Sequence, residues 1–132
     1  MPELTLTLHP ERYAVVKRAT SGGLPAWFAF DAAPVTAAVR RGDELSLVAP
    51  ESVVPEAGAG TGTVERGFRA LEVQGPLPFD ATGIMAAVAQ PLADASVSIF
   101  PLATCDTDIV LVPEAKIETA KAALRAAGHA VV

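Results

Sequence analysis

The chain has 132 residues, of which 51% are apolar and 19% charged, and a formal net charge of −5. That is enough apolar material for one domain of ordinary size or two very small ones, and it excludes a disordered chain. The acidic balance and the 5% aromatic content argue against a nucleic-acid binder, which presents a basic surface and stacking rings. The single cysteine, Cys105, rules out an intrachain disulfide and a multi-cysteine zinc site. No apolar run approaches the ~20 residues that span a bilayer. Met-Pro-Glu opens the sequence without a basic or apolar signal. The expectation is a cytoplasmic, soluble α/β or α+β protein without nucleic-acid or membrane partners.

Leu4 to Leu8 alternates apolar and polar residues and predicts a strand. A turn at His9-Pro10-Glu11 leads to a second strand, Tyr13 to Arg18. Ser21 to Pro25 breaks the pattern, and Trp27, Phe28 and Phe30 form a short apolar piece. Val35 to Val39 predicts a strand, Arg41-Gly42-Asp43 a turn, and Glu44 to Ala49 the hairpin partner. Pro50-Glu51 opens a short helix, since proline is tolerated in a first turn. Pro55 to Thr63 holds three glycines and no large apolar side chain, so it reads as a linker dividing the chain into 1–63 and 64–132.

In the second half, Phe68 to Gln74 predicts a strand closed by Gly75-Pro76. A helix follows Asp80-Ala81-Thr82-Gly83, with Ile84, Val88 and Leu92 on one face. Pro91 falls inside it and should kink or break it. Val97 to Ala103 and Asp108 to Val112 are strands around a turn at 104–107. Pro113-Glu114 opens a second helix with Ile117, Ala120, Leu124 and Ala127 on one face, stopped by Gly128. His129 to Val132 is a last strand, and the order is the β-α-β-β-α-β of a ferredoxin-like unit. RNA-binding modules share that order but carry stacking aromatics on their strands, which are missing here.

The halves repeat each other weakly. VTAAVRRGDELSLVAPE at Val35–Glu51 and VSIFPLATCDTDIVLVPE at Val97–Glu114 both run strand, polar turn, strand, Pro-Glu. Ser21-Gly22-Gly23-Leu24 sits where Thr82-Gly83-Ile84 sits in the second half.

DELSLVAPE at Asp43–Glu51, FRALEVQGPLPFDATGI at Phe68–Ile84 and SVSIFPLATCDTDIVLVPE at Ser96–Glu114 carry a family resemblance. With the Trp27 region, the chain resembles small bacterial proteins built from two ACT domains. These are similar to the ACT modules of the eukaryotic cytosolic arginine sensor and to aspartokinase regulatory domains. The resemblance implies two ferredoxin-like ACT units side by side, the N-terminal one with abbreviated helices. It also implies a regulatory, non-catalytic role, with a free amino acid or related metabolite bound between units and a homodimer as the favoured assembly.

The candidate ligand residues fall in four places. Asp80, Thr82, Gly83 and Ile84 form a strand-to-helix turn, where an uncapped N-terminus and its dipole would favour a carboxylate. Their alternative role is to cap the helix. Thr104, Cys105, Asp106, Thr107 and Asp108 form a turn that could equally satisfy itself locally. The resemblance gives Asp108 first, and Asp106 second, the role of meeting a ligand's positive group. Ser98, Ile99 and Phe100 would contribute strand backbone, and Ser46 occupies the matching place in the first half. Nucleophilic use of Cys105 would need a base, and the only histidines, His9 and His129, lie near the chain ends. No cofactor or metal motif occurs. A small enzyme using Cys105 or an aspartate in the same cleft is the rival reading, and an interaction module with a vestigial pocket is another.

Overall fold

Leu4 and Leu6 are buried, and the residues they pack against divide the chain differently from a cut at residue 63. The computed structural model describes residues 2–56 and 62–132; of the expected linker Pro55–Thr63, residues 57–61 lie outside the described residues. Residues Met1–Pro10 and Arg69–Val132 form one compact unit, and Glu11–Phe68 form the other. We call these the split unit and the inserted unit.

The inserted unit holds β2 (Tyr13–Ala19), β3 (Ala37–Arg41), β4 (Glu44–Pro50) and the first part of β5 (Thr63–Val73). The strands run in the order β3-β4-β2-β5, the order of a ferredoxin-like sheet. Alternation along β2 and β4 turns Ala14, Val16, Leu45, Leu47 and Ala49 to one face, where Phe28 and Val54 complete the core. No α-helix covers this face among the described residues. Gly22 and Gly23, at φ 85° and 67°, turn the chain out of β2, and residues 24–36 run irregularly. Phe28 meets Phe30 edge-on at 4.9 Å and Trp27 at 6.3 Å, so the short apolar piece is irregular and forms an aromatic cluster where a ferredoxin-like unit has its first helix. The third strand begins at Ala37, two residues later than expected, where Thr36 Oγ1 donates to the Phe30 carbonyl. At the start of β5, a Cβ on Gly62 would lie 1.7 Å from the Lys17 carbonyl oxygen, so only glycine fits.

The split unit holds β1 (Thr5–Leu8), the rest of β5, β6 (Phe100–Ala103), β7 (Asp108–Pro113) and β8 (Ala130–Val131). Its helices are α1 (Ile84–Asp94) and α2 (Ile117–Ala126). The strand order is β6-β7-β5-β1-β8. Removing β1 leaves the ferredoxin-like order, so the N-terminal strand is an insertion between β5 and β8. It pairs antiparallel with β5 (Leu6↔Val73, Leu8↔Leu71) and parallel with β8 (Leu6↔Val131). One core joins Leu4, Leu6, Leu71, Val73, Val110 and Val112 to Val88, Leu92 and Leu124 of the helices. This is why residues 1–10 go with 69–132.

Three local expectations change. Strand β5 begins at Thr63 rather than Phe68, because its polar first half pairs with β2 (Val16↔Val64, Lys17↔Thr63). Of the two outcomes expected at Pro91, a kink or a break, the break does not occur: helix α1 continues past Pro91 to Asp94. Strand β6 begins at Phe100 rather than Val97, because Ser96 (φ 59°) and the Val97 amide, bonded to the Leu92 carbonyl, still close the end of α1. Pro101 then sits on an edge strand paired only with β7, where its missing N–H costs no ladder bond.

The strand-turn-strand-Pro-Glu repeat holds in backbone terms within each unit. Pro50 (φ −61°, ψ 140°) precedes a 3-10 turn at Glu51–Val53, and Pro113 (φ −58°, ψ 135°) precedes one at Glu114–Lys116. Leu6 tests the assignment of β1. Leu6→Ala should destabilise the split unit by about 2–5 kcal/mol. Hydrogen exchange should quicken at Gln74 and Val132, whose amides donate to the Thr5 and Leu6 carbonyls of β1, while Leu47 in the inserted unit stays protected; the opposite pattern would return β1 to residues 11–68.

Candidate functional site

The 104–107 turn is built by one hydroxyl and one backbone bridge. Thr104 Oγ1 accepts the amides of Asp106 (3.2 Å) and Thr107 (3.1 Å), and the Thr104 amide donates to the Thr107 carbonyl at 2.8 Å. So Thr104 is spent on the turn itself. Two bonds fix the turn against the end of β5: Thr107 Oγ1 donates to the Val73 carbonyl, and the Leu77 amide donates to the Asp106 carbonyl at 2.7 Å. Gly75 permits this approach, since a Cβ there would stand 2.9 Å from the Asp106 carbonyl oxygen.

The result is a cavity of about 220 Å³ within the split unit. One wall is Leu77, Pro78, Phe79 and Ala81, and the other is Ala103 with Thr104 through Asp108. Phe79 is 85% exposed, an aromatic ring at the cavity mouth with no core role. Asp108 also stands at the edge of the core, beside Met85 and Val88 of α1. The charged side chains lining the cavity are thus the carboxylates of Asp106 and Asp108.

Of the expected residues, Thr104, Cys105, Asp106, Thr107 and Asp108 come together in this cavity. Asp80, Thr82 and Gly83 are exposed beside it and do not line it. Neither Asp80 nor Thr82 caps α1: the cap is Gly83 in the left-handed region (φ 79°), with no side-chain bond. The N-terminus of α1 therefore has no side-chain acceptor. Ile84 and Ile99 pack against the core, and Ser98 and Ile99 precede β6, so only Phe100 of that trio is strand. Ser46 lies in the inserted unit, where its hydroxyl donates to Glu44 Oε2 at 2.9 Å. The 77–81 wall carries no periodic signal, because Leu77 and Phe79 follow no strand or helix period.

Cys105 is an exposed thiol. His9 is bonded to Glu72 at 2.9 Å, and His129 to Leu4 and Ala87, so both histidines are engaged elsewhere. Among the described residues no group of His, Cys, Asp and Glu is arranged to hold a metal, and no helix is long and apolar enough to cross a membrane. The inserted unit has a cavity of about 660 Å³ lined by Lys17, Arg41, Glu44 and Thr63 among others. There Arg41 is held by Glu44 at 2.6 Å.

A model of the ACT domain matches residues 63–126. A crystal structure of a protein from Agobacterium tumefaciens is 30% identical, with a TM-score of 0.88 over 100% of this chain and 94% of that one. The chain belongs to the ACT-domain family. A Vibrio cholerae protein of unknown function, described as a possible transport protein, is 23% identical with a TM-score of 0.71, over 96% of this chain and 91% of that one. The ligand-free regulatory subunit of aspartate kinase from Thermus thermophilus shares the ACT fold at 15% identity and a TM-score of 0.63, over 92% and 96% of the two chains. No curated protein matches the sequence.

Two outcomes follow for this ACT-domain protein. Gly75→Ala should displace the 104–107 turn and cost about 1–3 kcal/mol, as overpacking does; amide shift changes should concentrate at 75–77 and 104–108, and an unchanged spectrum there would contradict the contact. The Ser46 hydroxyl, and then the Arg41 guanidinium, hold the Glu44 carboxyl below its ordinary value of 4.5. Its stabilising contribution is therefore present above the ordinary carboxylate range and lost as pH falls through the lowered value. Ser46→Ala should let the Glu44 titration rise toward the ordinary value in a carbon-detected NMR pH series.

Proposed function

We propose that this protein is a non-catalytic regulator that binds a free amino acid, and that the split unit's cavity at 77–81 and 103–108 is its ligand site. The observation that carries the reading is the coincidence of that cavity with the stretch matched by the ACT-domain model. Its chemistry supports a zwitterion. The N-terminus of α1, which follows the cavity wall without lining it, has no side-chain cap, and its orphan amides and positive dipole end would take the carboxylate of a ligand that extends past Ala81. Asp108, lining the cavity and standing beside Met85 at the edge of the core, would take an ammonium or guanidinium group. The volume of about 220 Å³ suits a ligand of amino-acid size rather than a nucleotide cofactor. Aspartate kinase regulatory subunits share the fold, which agrees with a role in control rather than turnover.

A thermal-shift screen against the twenty amino acids tests this. At 100 times its dissociation constant a ligand stabilises the fold by ~2.7 kcal/mol. Asp108→Ala should weaken the ligand found by about 2–5 kcal/mol if the charge pair is desolvated, with the fold retained. Unchanged affinity in both Asp108→Ala and Gly83→Val would place the site elsewhere.

A further inference from the structure

Proline has no N–H, so Pro91 leaves the Ala87 carbonyl in α1 without its helical amide. That carbonyl is not left unpaired: His129 Nε2 lies 2.9 Å from it. The other ring nitrogen, Nδ1, lies 3.1 Å from the Leu4 amide. An amide can only donate, so Nδ1 carries the lone pair and Nε2 carries the proton that goes to Ala87. His129 is 5% exposed, and among the described residues it is the buried polar side chain in a core that is otherwise apolar. It is placed there by the end of α2, where Gly128 (φ 98°) turns the chain and the His129 amide reaches the Leu124 carbonyl at 3.0 Å.

One ring thus joins the entry to β1, the interior of α1 and the turn into β8. Both bonds require one tautomer in its neutral form. We propose that His129 is an acid-released clasp on the N-terminal strand. A proton added at Nδ1 removes the acceptor for Leu4 and sets two N–H groups against each other. The bond from Nε2 to Ala87 survives that change, so α1 stays mended while the Leu4 amide, at the entry to β1, loses its partner. The release is directed at the N-terminus rather than at the whole fold.

The surroundings carry charges of both signs. His129 lines a groove between α1 and the end of α2; Asp94 of α1 lines it too and is held by Gln90 at 2.8 Å, and Glu3 lies beside Gly128 on the N-terminal segment. Helix α2 brings alanines to the groove, while Arg125 donates to the Val131 carbonyl at 3.2 Å. The carboxylates attract a cationic ring and Arg125 repels one. The hydrogen bonds from Leu4 and to Ala87 are what tie the folded arrangement to the neutral ring.

Amide hydrogen exchange on the full chain tests the proposal, with the Glu51 amide of the inserted unit, bonded to the Arg12 carbonyl, as internal reference. Between about pH 7.5 and about pH 5, protection of Leu4 relative to Glu51 should fall by about tenfold, the scale of one net hydrogen bond. His129→Gln offers an acceptor and a donor that do not titrate, and its Leu4 protection ratio should stay flat. A ratio that falls equally in both proteins, or stays flat in both, overturns the proposal. If His129→Gln does not fold, long-range nitrogen–proton NMR of the wild-type ring decides: the Nε2–H tautomer near pH 7.5, converting in step with Leu4 exposure, supports the clasp, and the Nδ1–H tautomer overturns it.

Discussion

The eleven residues of β5 have two sets of neighbours, and the rest of the structure follows from that. Thr63 to Phe68 pair with β2, as in Tyr13↔Phe68, and close the sheet of the inserted unit. From Arg69 onward the partners are β1 and β7, and the strand belongs to the split unit. The handover is pinned by the repeated Pro-Glu pairs. Glu51 accepts the Gly67 amide in the inserted unit. Glu114 lies 3.9 Å from the Arg69 guanidinium in the split unit, which also donates to the His9 carbonyl at 2.9 Å. Each unit's Pro-Glu therefore ties its own strand pair to its own share of β5. That gives the weak sequence repeat a physical reason beyond shared strand patterning.

The end of β5 also sets the candidate site. Val73 takes the Thr107 hydroxyl, Gly75 lets the Asp106 carbonyl approach, and Leu77 donates to it. The acidic turn is thus anchored to the strand rather than free on the surface, which holds Asp108 at a fixed place relative to α1. The same strand is paired by β1, whose entry is held by His129. The chain terminus, the mended helix and the site wall are then neighbours within one unit.

Strands and helices were legible in the sequence wherever a period of 2 or 3.6 ran unbroken, as in Leu4–Leu8 or Ile84–Leu92. The partner of β1 was not, because alternation fixes which face is buried but not which sheet receives it. The first half of β5 was hidden by its polar residues, Thr63, Glu65 and Arg66, which carry no apolar signal although the backbone pairs. Pro91 was read by its usual effect, and only the tertiary hydrogen bond from His129, 38 positions away by sequence number, shows why the helix survives. At the site, the acidic turn was legible from its residue types. The wall from Leu77 to Ala81 was not, since an irregular segment is placed by Gly75 and by a single backbone bond.

The central claim is that the fixed acidic turn and the uncapped start of α1 serve one bound amino acid. An amide-resolved NMR titration with the amino acid that most stabilises the protein tests it most directly. The account predicts saturable shifts at Leu77–Met85 and Thr104–Asp108, with little change in β3 and β4 of the inserted unit. Saturable shifts confined to other residues, or no amino acid that binds at all, would contradict it.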